Sequence, residues 1–116
     1  MRAARAPGRG DVVWLDFASR TGHEQAGRRP ALVLSPAAYN RRSGLCLACP
    51  ITSRIKGYPF EVRIGPPLER EGVVLADQVR AIDWRARGAE RAGRAPQAVL
   101  VEVVARLATL LLESEA

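Results

Sequence analysis

The chain has 116 residues, 47% of them hydrophobic, and a formal net charge of +6. Such a length supplies one compact core and leaves no room for a second domain. The positive balance favours an acidic partner, with nucleic acid the first candidate, and the longest apolar run, broken by Glu102 and Arg106, is too short and too charged to span a bilayer.

The opening MRAARAPGRG is basic and lacks the apolar stretch of a secretory signal, so residues 1–9 are expected to be a disordered tail and residues 10–116 a single soluble, cytoplasmic domain. DVVWLDF, residues 11–17, sets Val13, Leu15 and Phe17 on one face and Val12, Trp14 and Asp16 on the other, the period that marks a strand. One face is expected to be core and the other a working surface. Residues 18–29 combine Ser, Thr, glycines and charges without an apolar period, which predicts a long loop of the kind that carries function. Pro30 stiffens the approach to a strand ALVLS at residues 31–35, and PAAYNRRSG at residues 36–44 reads as one helical turn closing at Ser43 and Gly44.

A third strand is predicted over residues 45–51, followed by the polar loop TSRIKGYP and a return strand FEVRI at residues 60–64. Gly65, Pro66 and Pro67 end that strand. Short strands follow at residues 73–76 and 78–84, and RARGAERAGR reads as a basic turn region. Short strands at this spacing point to a small barrel or a strongly curved antiparallel sheet. Over residues 96–113 the period becomes helical, with Glu102 and Arg106 spaced for an i, i+4 pair. The apolar positions of this helix cover more than one stripe, so it is expected to pack on the barrel and also to meet a second copy of the chain.

Cys46 and Cys49 form a C-x-x-C inside the strand-like run LCLACPI. Strand residues three apart point to opposite faces, which disfavours a bridge, and no second pair completes a zinc site. Both cysteines are therefore read as buried, reduced core residues.

The candidate chemistry lies where two loops meet. If the second and third strands pair as antiparallel neighbours, Arg29 lies beside Thr52, with the carboxylate of Glu24 on the overhanging loop. A guanidinium beside a hydroxyl, with a carboxylate nearby, suits the holding of a phosphate while a proton moves. Arg54 and Lys56, the only lysine, are placed to hold flanking phosphates. Nearby arginines are expected to lower the pKa of Glu24 and make it a weak base. His23, the single histidine, reads as a solvated loop side chain, and a mechanism using two histidines of one chain is excluded. Trp14 either stacks on a base or packs, Asp77 and Gln78 either read base edges or close a turn, and Arg85 and Arg87 read as a solvated turn.

The segments GDVVWLDF, EQAGRRPALVLSP, ITSRIKGYPFEV and LADQVRAIDWRARG resemble, in order and spacing, the MazF/PemK family of toxin endoribonucleases. The resemblance implies an SH3-like small barrel of the CcdB/MazF type, mainly β with a C-terminal helix. It also implies a homodimer, cleavage of single-stranded RNA with no metal or other cofactor, and inhibition by a cognate antitoxin, expected to be acidic. The family's catalytic positions fall on Glu24, Arg29 and Thr52. Its RNA-binding loops fall on residues 17–28 and 53–59, and the candidate RNA-binding residues are Trp14, Asp16, Phe17, Gln25 and Arg28 from the first loop and its strand, with Ser53, Arg54 and Lys56 from the second. Asp77, Gln78 and Arg87 complete that set. Two other readings compete: a toxin that binds a protein target, as CcdB-type toxins do, and a non-catalytic RNA-binding barrel. A pure protein binder has no use for the set Glu24, Arg29 and Thr52, and an RNA cleavage assay separates the second.

Overall fold

The computed structural model describes residues 5–16 and 27–115. Its organising element is the strand Leu45–Thr52 (β3), whose run LCLACPIT is apolar on both faces. On one edge, Ala48, Cys49 and Pro50 pair with Val33, Leu32 and Ala31 of the antiparallel strand Arg28–Val33 (β2). The other edge serves two partners in turn. Residues 45–48 pair with Arg80–Asp83 (β6), and Ile51 and Thr52 pair with Gly72–Leu75 (β5). Pro50, which has no N–H to donate, falls in the gap between those partners, where a ladder bond is not required.

Around β3 the remaining strands follow simply. Glu61–Ile64 (β4) pairs with β5, while Asp11–Asp16 (β1) joins β2 to the last strand, Glu90–Arg94 (β7). The sheet order is β4-β5-β3-β2-β1-β7, with β6 attached to β3. The central strands are buried on both faces. Val12, Leu32, Cys49 and Ile51 face one core, closed by Leu100 and Val103 of the helix Gln97–Leu112 (α2). Val13, Leu15, Ala31, Val33, Cys46 and Ala48 face another, closed by Trp84.

This two-sided burial corrects the expected division of the first strand. Val12 is fully buried rather than on the working face, which keeps only Trp14 and Asp16. The same alternation sends Cys46 and Cys49 into different cores as free thiols, as their spacing predicted. Burial pushes the thiol pKa of Cys46 up to about 11, and burial together with the Asp77 charge pushes that of Cys49 up to about 12.

β7 is the element that the sequence reading took for a turn. ERAGR has no apolar alternation, and it is a strand because β1 offers it a free edge. Gly93 is needed there for a close approach, since a Cβ would stand 2.6 Å from that of Pro67. Ala37–Ser43 (α1) is longer than the single turn expected and ends at Gly44, whose φ of 76° is left-handed.

The supposed tail is seated from residue 5 onward, and residues 1–4 lie outside the described residues. Ala6 packs on the second core, and Arg9 Nε donates to the Leu34 carbonyl at 2.8 Å. The carbonyl of Pro7 accepts from Asn40 Nδ2 at 2.7 Å. Asn40 is fully buried and ties α1 to three connecting segments, at Pro7, Ser35 and Trp84. Its Oδ1 accepts from Ser35 Oγ at 2.6 Å, its Nδ2 also donates to the Ser35 carbonyl, and its own carbonyl accepts from Trp84 Nε1 at 2.8 Å. Ser35 Oγ in turn accepts from the Leu47 amide.

Replacing Asn40 with Ala strands the Pro7 and Ser35 partners in a dry interior, each a cost of about 1–3 kcal/mol. Urea denaturation of Asn40→Ala is expected to show a loss of about 3 kcal/mol at an unchanged m-value. A loss below about 1 kcal/mol would place the network's weight elsewhere.

Candidate active site

The β2–β3 register, Ala31 with Pro50 and Leu32 with Cys49, continues outward to set Arg29 across from Thr52. Both residues line two neighbouring concavities of about 900 and 770 Å³ and so stand on the ridge between them. Thr52 Oγ1 accepts the Arg54 N–H at 3.1 Å, which leaves the hydroxyl proton to donate elsewhere. Gly72 makes room behind it, since a Cβ there would stand 2.5 Å from the Thr52 carbonyl oxygen. Among the described residues Arg29, Arg54 and Lys56 have no side-chain ion pair.

Arg28, adjacent in sequence to Arg29, has the opposite duty. Its guanidinium donates to Asp16 Oδ1 at 3.1 Å, to Glu90 Oε1 at 2.9 Å and to the carbonyls of Trp14 and Gly88. Arg87 braces the same corner, donating from Nη1 to the Asp16 carbonyl and accepting the Asp16 N–H with its own. Asp16, Arg28 and Arg87 were grouped with the RNA contacts. The structure commits them to one another, and they tie β1, β2 and β7 together at the two ends of segment 17–26. Phe17, His23, Glu24 and Gln25 lie in that segment, outside the described residues. Arg85 is not simply solvated, because its guanidinium lies over the Trp84 ring at 4.8 Å.

The 900 Å³ concavity holds Trp14, which is 37% exposed, together with Ser53, Arg70 and Arg91. The other holds Arg54, Lys56, Tyr58, Asp77 and Gln78. Asp77 and Gln78 reach its wall because the strand register along β3 slips between β5 and β6, and the slack is taken up by the 3-10 turn Ala76–Gln78. Asp77 Oδ2 accepts the Tyr58 hydroxyl at 3.0 Å, while its Oδ1 is buried with no hydrogen-bond partner among the described residues. Sequence reasoning placed Tyr58 inside the 53–59 loop without a role of its own and missed Arg70, Arg91 and Glu61. Only the fold brings them to the ridge, and the sole local signal was the aromatic beside a glycine in KGYP.

The family profile of the PemK-like, MazF-like toxins of type II toxin–antitoxin systems matches residues 8–111. The chain belongs to the MazF/PemK toxin family. It is 50% identical over 105 residues to the endoribonuclease toxin MazF of Escherichia coli K12, covering 90% of this chain and 94% of that one. It is 39% identical over 108 residues to the Escherichia coli endoribonuclease PemK, covering 89% and 80%. A crystal structure of MazE-MazF from Deinococcus radiodurans superposes with a TM-score of 0.87 at 57% identity, covering 96% of this chain and all of that one.

The mainly β architecture with a C-terminal helix is thus the MazF fold, as the motifs implied. Within it the four resembling segments meet around one ridge. GDVVWLDF supplies β1 and Trp14, EQAGRRPALVLSP supplies β2 and Arg29, ITSRIKGYPFEV supplies Thr52 and its loop, and LADQVRAIDWRARG supplies Asp77 and the braced corner.

Tyr58 carries a pKa raised above the ordinary tyrosine value, first by its hydrogen bond to Asp77 and then by that carboxylate's charge. Because the raised value favours the protonated donor, the bond is intact through neutral pH and is lost only as alkaline pH passes the raised value. Phenolate absorbance should show a late-titrating component in the wild type that disappears in Tyr58→Phe. It should shift back toward the ordinary value in Asp77→Asn, and a late component that persists in both variants would refute the assignment.

Proposed function

We propose that this MazF/PemK-family endoribonuclease cleaves single-stranded RNA in the cytoplasm at short sequences, without a metal, and so inhibits translation and growth until a cognate antitoxin neutralises it. The named relatives are endoribonucleases, and one similar solved structure pairs MazF with MazE. The observation that carries the chemistry is the Arg29–Thr52 ridge, where a permanently charged fork and a hydroxyl with a free proton converge between two concavities.

RNA brings its own nucleophile. A site that holds the phosphorus in line with the 2′-OH, removes that proton and stabilises the charged transition state needs no activated water. Arg29 holds the non-bridging phosphate oxygens in the planar, bidentate manner of guanidinium. Thr52 adds a neutral, orienting hydrogen bond. Glu24 is assigned the 2′-OH proton. The 2′-oxygen bonds to phosphorus as the bond to the departing 5′-oxygen breaks, and that oxygen takes up a proton from solvent water, leaving a 2′,3′-cyclic phosphate and a 5′-hydroxyl. Flanking nucleotides lie on either side of the ridge. Trp14 stacks a base on one side, beside Ser53, and Arg54 and Lys56 meet phosphates on the other, where Asp77 and Gln78 read a base; Phe17 and Gln25 are assigned further RNA contacts.

Incubation with a long RNA in EDTA, with end mapping, tests the reaction. Cyclic-phosphate and 5′-hydroxyl ends are expected, and a 2′-deoxy substitution before the cut should block cleavage while binding persists. Arg29→Ala should lower kcat by on the order of a hundredfold or more, about 3 kcal/mol, and Thr52→Ala by about tenfold. Glu24→Gln should lower the rate with RNA affinity unchanged. Cleavage of the 2′-deoxy substrate, or strict dependence on magnesium, would refute the mechanism. An acidic, disordered antitoxin segment should abolish cleavage, less effectively at high salt.

The protein is further proposed to act as a homodimer. On α2 only Leu100 and Val103 are fully buried, while Val101, Val104, Leu110, Leu111 and Leu112 are exposed in the single chain. Leu111 is 71% exposed, so Leu111→Glu should leave the monomer fold intact and shift sedimentation from dimer to monomer at micromolar concentration. A wild-type protein that sediments as a monomer and still cleaves RNA would remove this claim.

A further inference from the structure

The loop at residues 53–59 forms one wall of the concavity beside Arg29, and all of its residues are exposed. Such a loop should fluctuate, and ordering it upon RNA binding would cost affinity. Two carboxylates hold it instead. Glu61, at the start of β4, accepts the Gly57 N–H at 2.9 Å and the Lys56 N–H with both oxygens at 3.2 Å. The two amides converge because Gly57 takes a φ of 82°, the geometry of a backbone anion nest. The Glu61 amide donates back to the Tyr58 carbonyl at 3.0 Å, and the Tyr58 hydroxyl reaches Asp77. Glu61 itself is fixed by pairing with Leu75.

We propose that Glu61 is a positioning residue for RNA binding. Its carboxylate fills the Lys56–Gly57 nest from within, so the loop amides are already satisfied and the Lys56 ammonium is left to meet the phosphate next to the one held by Arg29. The charge-assisted bonds to Glu61 fix the loop before RNA arrives. This inference rests on the RNA-cleaving reading above.

The test is steady-state cleavage of a fluorescent RNA oligonucleotide spanning a mapped cut site. Glu61→Ala should raise KM about tenfold with kcat changed by less than about threefold, the pattern of lost binding rather than lost chemistry. Glu61→Gln, which keeps an acceptor oxygen for the amides, should recover most of that loss. Lys56→Ala should raise KM similarly, and the double variant should be no worse than either single one, because both act through one contact. Each single Ala variant should also flatten the dependence of log affinity on log salt by about 0.7. Hydrogen exchange supplies an arm that needs no variant: in the free wild-type protein the Lys56 and Gly57 amides should already be protected, and adding a 2′-deoxy oligonucleotide should change them little. A KM for Glu61→Ala within about twofold of wild type, additive effects with Lys56→Ala, or unprotected amides in the free protein would overturn the inference. If wild type cleaves and Glu61→Ala is unaltered, this inference alone fails. If wild type cleaves no RNA, the reading beneath it fails as well.

Discussion

One strand with three partners sets most of this structure. β3 is held on one edge by β2 and on the other by β6 and then β5, and it must curl to serve them all. A strand buried on both faces has its register fixed, because a slip of one residue would exchange the contents of the two cores. The same register sets Arg29 across from Thr52. The change of partner on the far edge pushes Asp77 and Gln78 out of the ladder and into the neighbouring concavity. Packing and chemistry therefore share a single constraint, and the ridge cannot shift without repacking the interior.

The adjacent arginines show how that frame divides labour. Arg28 meets four acceptors and closes the corner at the ends of segment 17–26, while Arg29, one residue on, has no ion pair among the described residues. A charge already satisfied by carboxylates and carbonyls contributes little to the capture of a phosphate. An unsatisfied charge on a rigid strand contributes a great deal, because its reorganisation is complete before the substrate arrives. Of two guanidiniums of identical chemistry, one thus serves as a clasp and the other is left as the group proposed to meet phosphate.

Carboxylates play the complementary part in a protein of net positive charge. Asp11 is nearly buried and ties the Gly8 amide to Arg91, Asp16 pairs with Arg28, and Glu61 and Asp77 hold the loop that carries Arg54 and Lys56. Of these four, Asp11, Asp16 and Glu61 are spent on backbone or on a structural arginine, and Asp77 on the Tyr58 hydroxyl. Arg29, Arg54 and Lys56, which have no ion pair among the described residues, line the concavities on either side of the ridge. α2, by contrast, leaves Val101, Val104, Leu110, Leu111 and Leu112 exposed in the single chain, the apolar face on which the proposed homodimer rests.

The sequence by itself determined the alternation of the early strands, the C-terminal helix with its Glu102–Arg106 pair, the separation of Cys46 from Cys49, and the antiparallel β2–β3 neighbourhood that brings Arg29 and Thr52 to the same concavities. These rest on period and neighbour pairing, which are local properties that a chain carries along its length. Only the tertiary structure decided that ERAGR is a strand, since an open edge of β1 recruits it without apolar residues. It also decided that residues 5–9 are seated, since a buried Asn40 needs the Pro7 carbonyl. The separate duties of Arg28 and Arg29, and the grip of Glu61 on its loop, were likewise invisible in the string of letters. Whether a charge is free or spent depends on acceptors contributed by residues as distant as Gly88 and Glu90, and those distances exist only after the chain has folded.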